Sequence, residues 1–212
     1  MKSSLNIIHS DPLFVVVDKP GGLLSVPGRG PDNQDCVVNR LKKMFPECIS
    51  HPAVHRLDMA TGGIMVLALT GESHRNLSQQ FAERLVNKSY IALLEGHINK
   101  ESGEIQLPFR LDPDNRPHQI YDSVHGKIGI SQWRNLGVEG KYTRIEFTPI
   151  TGRTHQLRVH SAHDLGLGCP IVGDTLYGNG REGDQLMLHA ACLGFQHPAN
   201  RKNMEFKSPA PF

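Results

Sequence analysis

Five consecutive apolar residues, Leu13-Phe14-Val15-Val16-Val17, lead through Asp18 into Lys19-Pro20-Gly21-Gly22. A short, largely β-branched apolar run that stops at a Pro-Gly-Gly sequence reads as a buried strand ending in a tight turn. A second run, Ile64 to Leu69, has the same character and meets Thr70, which is suited to cap a helix whose Leu77, Phe81 and Leu85 recur four apart. The 21 glycines and 14 prolines in 212 residues exceed average usage and argue for many turns between short elements, against a helical bundle.

The rest of the chain follows suit. Asp35 to Phe45 places Val37, Val38, Leu41, Met44 and Phe45 at helical spacing and stops at Pro46. Ser89 to Ile98 is strand-like, and Tyr142 to Thr148 sets Thr143, Ile145 and Phe147 against a wet face. Leu186 to Phe195 and Asn203 to Lys207 read as two last strands. Pro108 to Pro117 and Tyr121 to Gln132, rich in Pro, Asp, Asn and Gly, read as hairpin loops. A helix from about Thr154 carries Leu157, Ser161 and Leu165 along one side and closes at Gly166. Many strands with few scattered helices give an α+β class. No repeat or polar linker divides the sequence, and 38% hydrophobic residues suffice for one core, so a single domain over residues 1–212 is expected.

A net charge of +2 does not announce a nucleic-acid binder, so the distribution of charge must decide. Cys36, Cys48, Cys169 and Cys192 form no C-x-x-C pair and read as free thiols rather than a zinc site or redox dithiol. No apolar run reaches eighteen residues, which excludes a membrane-spanning helix, and Met1 to Asp11 has no signal-peptide stretch, so a cytoplasmic protein is expected.

Three segments hold the reactive side chains. In His55-Arg56-Leu57-Asp58, followed by Met59-Ala60-Thr61-Gly62-Gly63, a carboxylate stands on a loop edge just before a buried strand, as suits either a reactive group or a turn aspartate bonding nearby amides. Thr151-Gly152-Arg153-Thr154-His155-Gln156-Leu157-Arg158-Val159-His160 crowds two arginines, two histidines and a glutamine at a helix start, which reads as an anion-holding face or a solvated one. His155 and His160 are five apart, the wrong spacing for paired metal ligands on one helix face. Tyr90, near the start of a strand, is by itself a half-buried core tyrosine.

Taken together, these segments, Asp18-Lys19-Pro20-Gly21-Gly22-Leu23-Leu24-Ser25-Val26-Pro27, Lys88-Ser89-Tyr90 and Gly173-Asp174 resemble, in order and nearly end to end, the RluA family of RNA pseudouridine synthases. The chain departs from the common family pattern at Gly62, where serine is usual, and at Cys169, where histidine is usual. The resemblance implies the pseudouridine synthase fold, a largely antiparallel mixed central sheet with helices and loops flanking a cleft, without a separate N-terminal RNA-binding domain. It implies a cofactor-free, metal-free isomerisation of uridine, in which the glycosidic bond at N1 breaks and C5 takes its place on the ribose. The substrate it implies is an RNA stem-loop of tRNA and/or 23S rRNA, with no obligate protein partner.

By the same resemblance Asp58 is the essential carboxylate, as nucleophile or as ribose base. Arg158 pairs with it, which typically lowers a carboxylate pKa by ~1–3 units. Tyr90 lies against the uracil, and Arg56 enters the RNA loop to replace the everted base. His55, Thr61, Gln156 and Leu157 line the substrate site, and Lys19, Arg153 and His160 meet phosphates.

Overall fold

A computed structural model describes residues 4–212. In chain order its elements are β1 (Asn6–Ser10), β2 (Phe14–Lys19), α1 (Val37–Met44), β3 (Gly62–Ala68), α2 (Gly71–Ala82), β4 (Asn87–Glu95), β5 (Ser102–Leu111), β6 (Gln119–Tyr121), β7 (Lys127–Glu139), β8 (Tyr142–Pro149), α3 (Gln156–Ala162), β9 (Leu188–Gln196) and β10 (Asn203–Lys207). The strands pair mostly antiparallel, β3 with β9 being parallel, and the class is α+β. The described residues divide into two compact units, residues 4–88 with 189–211, and residues 89–188 with 212.

In the first unit β2 pairs with β1 and β3, β3 with β9, and β9 with β10. The continuous apolar runs have a direct cause, because the sheet is covered on both faces. Val15, Val17, Met65 and Leu67 pack with Val37, Val38 and Leu41 of α1, whereas Phe14, Val16, Ile64 and Val66 pack with Leu77 of α2 and with Leu193 and Phe195. The Cys36 thiol caps α1 by accepting the Asn39 N–H, and α1 ends before Pro46. Thr70 caps α2 in a reciprocal pair with Ser73. Helix α2 stops one turn short of the sequence expectation. Arg84 adopts φ 60°, the N–H of Leu85 returns to the Gln80 carbonyl (2.9 Å), and Leu85 is left 57% exposed instead of joining Leu77 and Phe81.

In the second unit the strand order is β4-β8-β7-β5-β6, all antiparallel. Thr143, Ile145 and Phe147 face inward as the alternation of β8 predicts. The two expected loops are a correction. Strand β5 runs through Pro108 to Leu111, and β7 begins at Lys127, so strand covers part of both. Ile105, Leu107 and Phe109 are the buried row of β5, alternating with Glu104, Gln106 and Pro108. The buried row at the start of β7 is Gly129, Ser131 and Trp133, while Ile128 lies outside. That inner face must be small, since a Cβ on Gly129 would stand 2.6 Å from the Phe109 ring and 3.0 Å from Nε2 of His160. Its Gly and Ser content, required by packing, imitates a loop composition. Helix α3 is shorter than expected, ending at Ala162, and Leu165 is exposed.

Candidate functional site

The first unit holds the His55–Asp58 segment by its backbone. The Ser25 hydroxyl donates to the Leu57 carbonyl (2.6 Å) and accepts the Leu57 N–H (3.0 Å). The Asp58 carbonyl accepts the N–H of the buried Thr61 (3.2 Å), closing the turn. The Met59 carbonyl accepts the Gly22 N–H (2.9 Å) and the Lys19 ammonium (3.0 Å). Asp58 thus lies between two peptide groups that cannot drift, with its own side chain half-buried and Arg56 exposed beside it. The sequence allowed a reactive carboxylate or a turn aspartate. In the structure the Ser25 hydroxyl, the Lys19 ammonium and the Thr61 N–H hold the turn through its peptide groups, a task that therefore does not need the carboxylate.

Lys19 is a correction. Its side chain is 1% exposed, and Nζ spends its three donors on the carbonyls of Pro20 (3.0 Å), Leu23 (2.7 Å) and Met59 (3.0 Å), so it does not reach a phosphate. Burial pushes its pKa down to about 8, against the opposing attraction of Asp58. His55 is likewise structural. Its Nε2 accepts the Val66 N–H (3.1 Å) and its ring stacks on Phe81 with centroids 4.5 Å apart. Burial, with the Lys88 charge adding to it, pushes its pKa down to about 3, and the neutral ring pins the loop to β3. The loop departure at Gly62 also has a physical setting, because a Cβ there would meet Nδ1 of His189 at 3.2 Å.

In the second unit the expected helix face is not solvated. Gln156, Leu157, Arg158, Val159, His160 and Ser161 are all buried. Gln156 ties the preceding turn to β7: its Oε1 accepts the Thr151 hydroxyl (2.6 Å) and the Arg153 N–H (3.0 Å), and its Nε2 donates to the Ile130 carbonyl (3.0 Å) and the Ser131 hydroxyl (2.8 Å). Leu157 is core. His160 is 0% exposed beneath Phe109 (5.8 Å, edge-on), with neither ring nitrogen hydrogen-bonded, and burial pushes its pKa down to about 4. His160 therefore does not reach a phosphate, and Gln156, Leu157 and Thr61 are buried as well. Arg153 alone of this group is exposed.

Arg158 is 4% exposed and gives two nitrogens to Asp174, Nε to Oδ2 (2.8 Å) and Nη2 to Oδ1 (2.5 Å). The bidentate partner that the resemblance assigned to Asp58 is, for these two nitrogens, Asp174. Burial raises the Asp174 pKa, but the Arg158 bonds and charge and the Leu176 and Tyr177 N–H groups outweigh it and hold the carboxyl below its ordinary value. Tyr90 is half-buried on β4 opposite Phe147. Sequence reasoning gave no role to Ser25, Asp174 and Tyr177. The first two lay inside motifs already noticed, and the spacing Gly173-Asp174-x-x-Tyr177-Gly178 was the available signal for the third. Among the described residues no group of three or more His, Cys, Asp or Glu side chains is placed to hold a metal ion, and no helix is long and apolar enough to cross a membrane.

Comparison with known proteins bears on this arrangement as a whole. Residues 13–163 match the family described as RNA pseudouridylate synthase. The dual-specificity RNA pseudouridine synthase RluA of Pasteurella multocida is 42% identical over 212 residues, covering 98% of this chain and 94% of that protein. The protein of the same name from Escherichia coli K12 gives the same identity and coverage. Among solved structures, human RNA pseudouridylate synthase domain containing 1 superposes with a TM-score of 0.78 at 30% identity, over 99% of this chain and 84% of that one. Human RNA pseudouridylate synthase domain containing 4 gives 0.76 at 25%, over 97% and 88%. With a family match spanning the Asp58 loop, Tyr90 and Arg158, and with relatives matched over nearly their full length, the chain belongs to the RNA pseudouridylate synthases.

Proposed function

We propose that this protein converts a uridine in a hairpin loop of tRNA and/or 23S rRNA to pseudouridine, with Asp58 as its essential carboxylate. The observation that carries the reading is the Asp58 loop: Ser25, Lys19 and Thr61 fix the backbone on both sides while the carboxylate itself remains half-exposed. Such a group reacts without first reorganising its peptide. The relatives' names, which specify dual-specificity RNA pseudouridine synthases, support the substrate class.

On this reading Asp58 acts at the ribose, as nucleophile or as base, while the N1 bond breaks. The uracil turns within the pocket and C5 joins the same carbon, so the product has the atoms of the substrate. Tyr90 lies against the base; C5 gives up its proton through it or through water, and N1 takes up a proton in exchange. Arg158, held by Asp174, is the cation that the resemblance assigns to the reaction. A stacked uridine must leave its loop to react, at a cost of a few kcal/mol. Arg56 and Arg153 would meet RNA, Arg56 by filling the vacated stack and Arg153 at phosphate, and their exposure supports this. The whole chain serves as one catalytic domain in the cytoplasm, a reading supported by a family match that runs through both compact units.

The test is Asp58→Asn, assayed by the mass shift that carbodiimide labelling gives to pseudouridine. The variant is expected to bind RNA and form none of the product. Substantial turnover by the folded variant would overturn the assignment, and stem-loop binding without isomerisation by the unaltered protein would make it an RNA-binding module instead.

A further inference from the structure

The Gly173-Asp174 motif reaches the same part of the second unit as α3, and the contacts it makes are more specific than core packing needs. Gly173 has φ 76° and lies so close to the Gln185 carbonyl that a Cβ would stand 2.1 Å from it. Only glycine allows this approach, and it sets the next residue, Asp174, at 0% exposure. Both carboxylate oxygens are used. Oδ2 accepts from Nε of Arg158, and Oδ1 accepts from Nη2 of Arg158 and from the N–H groups of Leu176 (2.9 Å) and Tyr177 (3.0 Å).

Tyr177 adds a second restraint. The Arg158 guanidinium lies over its ring at 5.3 Å, and the ring is itself anchored at its hydroxyl, which accepts the Gln119 N–H (2.8 Å) and is 2.8 Å from Nδ1 of His155. His155 stands at the start of α3 in the left-handed region, φ 56°, three residues before Arg158. The backbone of α3, the turn at 174–177 and strand β6 therefore meet around one guanidinium. Asp174 fixes the plane of the guanidinium by two parallel bonds, and Tyr177 covers one face and blocks tilting out of that plane.

We propose that Asp174 and Tyr177 are positioning residues for Arg158, holding its guanidinium in the single orientation that uridine isomerisation uses. The inference rests on the reading that Arg158 takes part in that reaction. A buried ion pair that merely stabilised the unit would affect folding and leave turnover by the folded protein unchanged.

The experiment uses the full chain and RNA isolated from cells lacking this protein, and measures kcat and KM for pseudouridine formation together with thermal unfolding. In Asp174→Asn, kcat is expected to fall by about 100-fold, the loss typical of a reacting group displaced by an ångström, with KM within about twofold. Asp174→Glu restores the charge and part of kcat. Tyr177→Leu is expected to lower kcat by about tenfold, and Tyr177→Phe, which keeps the ring over the guanidinium, to recover most of it. If Asp174→Asn does not fold, the Leu and Phe pair at 177 decides. Wild-type kcat in folded Asp174→Asn or Tyr177→Leu, or a change confined to KM, overturns the proposal. Arg158→Lys separates the two readings: wild-type turnover there defeats the role of Arg158 itself, whereas an inactive Arg158→Lys beside fully active folded Asp174→Asn and Tyr177→Leu defeats only the positioning role.

Discussion

The Asp58 loop and helix α3 hold a reactive side chain in opposite ways. At Asp58 the protein grips the main chain, through Ser25 on the Leu57 peptide and Lys19 and Gly22 on the Met59 carbonyl. At Arg158 it grips the side chain, by two bonds from Asp174 and a ring from Tyr177. The difference follows from side-chain length. Aspartate has two rotatable bonds, so fixing its backbone nearly fixes its carboxylate, whereas arginine keeps most of its freedom until its far end is tied.

The contrast is broken most forcefully at Lys19. Lys19→Met removes the ammonium from the carbonyls of Pro20, Leu23 and Met59 and is expected to destabilise the protein by about 4 kcal/mol in urea unfolding, at the usual ~1.5–3 kcal/mol for each hydrogen bond to a charged group. An equally stable variant would show that the loop is held some other way. The buried histidines sharpen the comparison through pH. His160 is depressed to about 4, so between its unfolded value near 6.5 and about 4 the unfolded chain binds the extra proton. Stability from this residue is complete above about pH 6.5 and is lost as pH falls through the folded value, about 3 kcal/mol in all. His160→Leu should flatten that part of the acid limb and leave stability at pH 7 unchanged or higher, because no hydrogen bond is lost. His55, depressed to about 3, has the same sign, but His55→Leu should destabilise at pH 7 too, since the Val66 N–H loses its acceptor.

Ser25→Ala removes the bonds to Leu57 and is expected to cost about 1–2 kcal/mol, with kcat falling more than KM rises. The smallest effect belongs to Arg153→Ala. An exposed cation should leave the unfolding curve unmoved, weaken RNA binding a few-fold, and reduce the salt dependence of log K by about one unit of slope if it meets one phosphate. An unchanged salt slope would remove Arg153 from the RNA interface.

Legibility in the sequence followed the same divide between main chain and side chain. Strands β2, β3, β9 and β10 and helix α1 were readable because apolar runs of strand length, a helical spacing and Pro46 are local signals. The start of β7 was hidden, because its inward row of Gly129 and Ser131 answers to the bulk of Phe109 and His160, residues distant in sequence. Asp58 stood out through its motif, and so did Arg158, but the same resemblance also implied phosphate contact for Lys19 and His160. Both lie in the interior, one saturated by carbonyls and the other unpaired, and nothing in residue type or spacing distinguishes those fates. The Asp174 partnership was similarly out of reach, since it depends on a 16-residue excursion that returns to α3.

In the first unit, β9 and β10 join β1, β2 and β3, strands that lie in the first 68 residues. During translation β3 therefore waits for its parallel neighbour while about 120 further residues are made, a delay of roughly 6–24 s at ~5–20 residues per second. The intervening 89–188 unit is contiguous and emerges whole, so it finishes before its predecessor can. A nascent chain arrested short of residue 189 would leave Gly62 and Gly63 without their partners on β9 and the Phe14, Val16, Ile64 and Val66 face without Leu193 and Phe195, which makes that interval the one in which a chaperone has most to do.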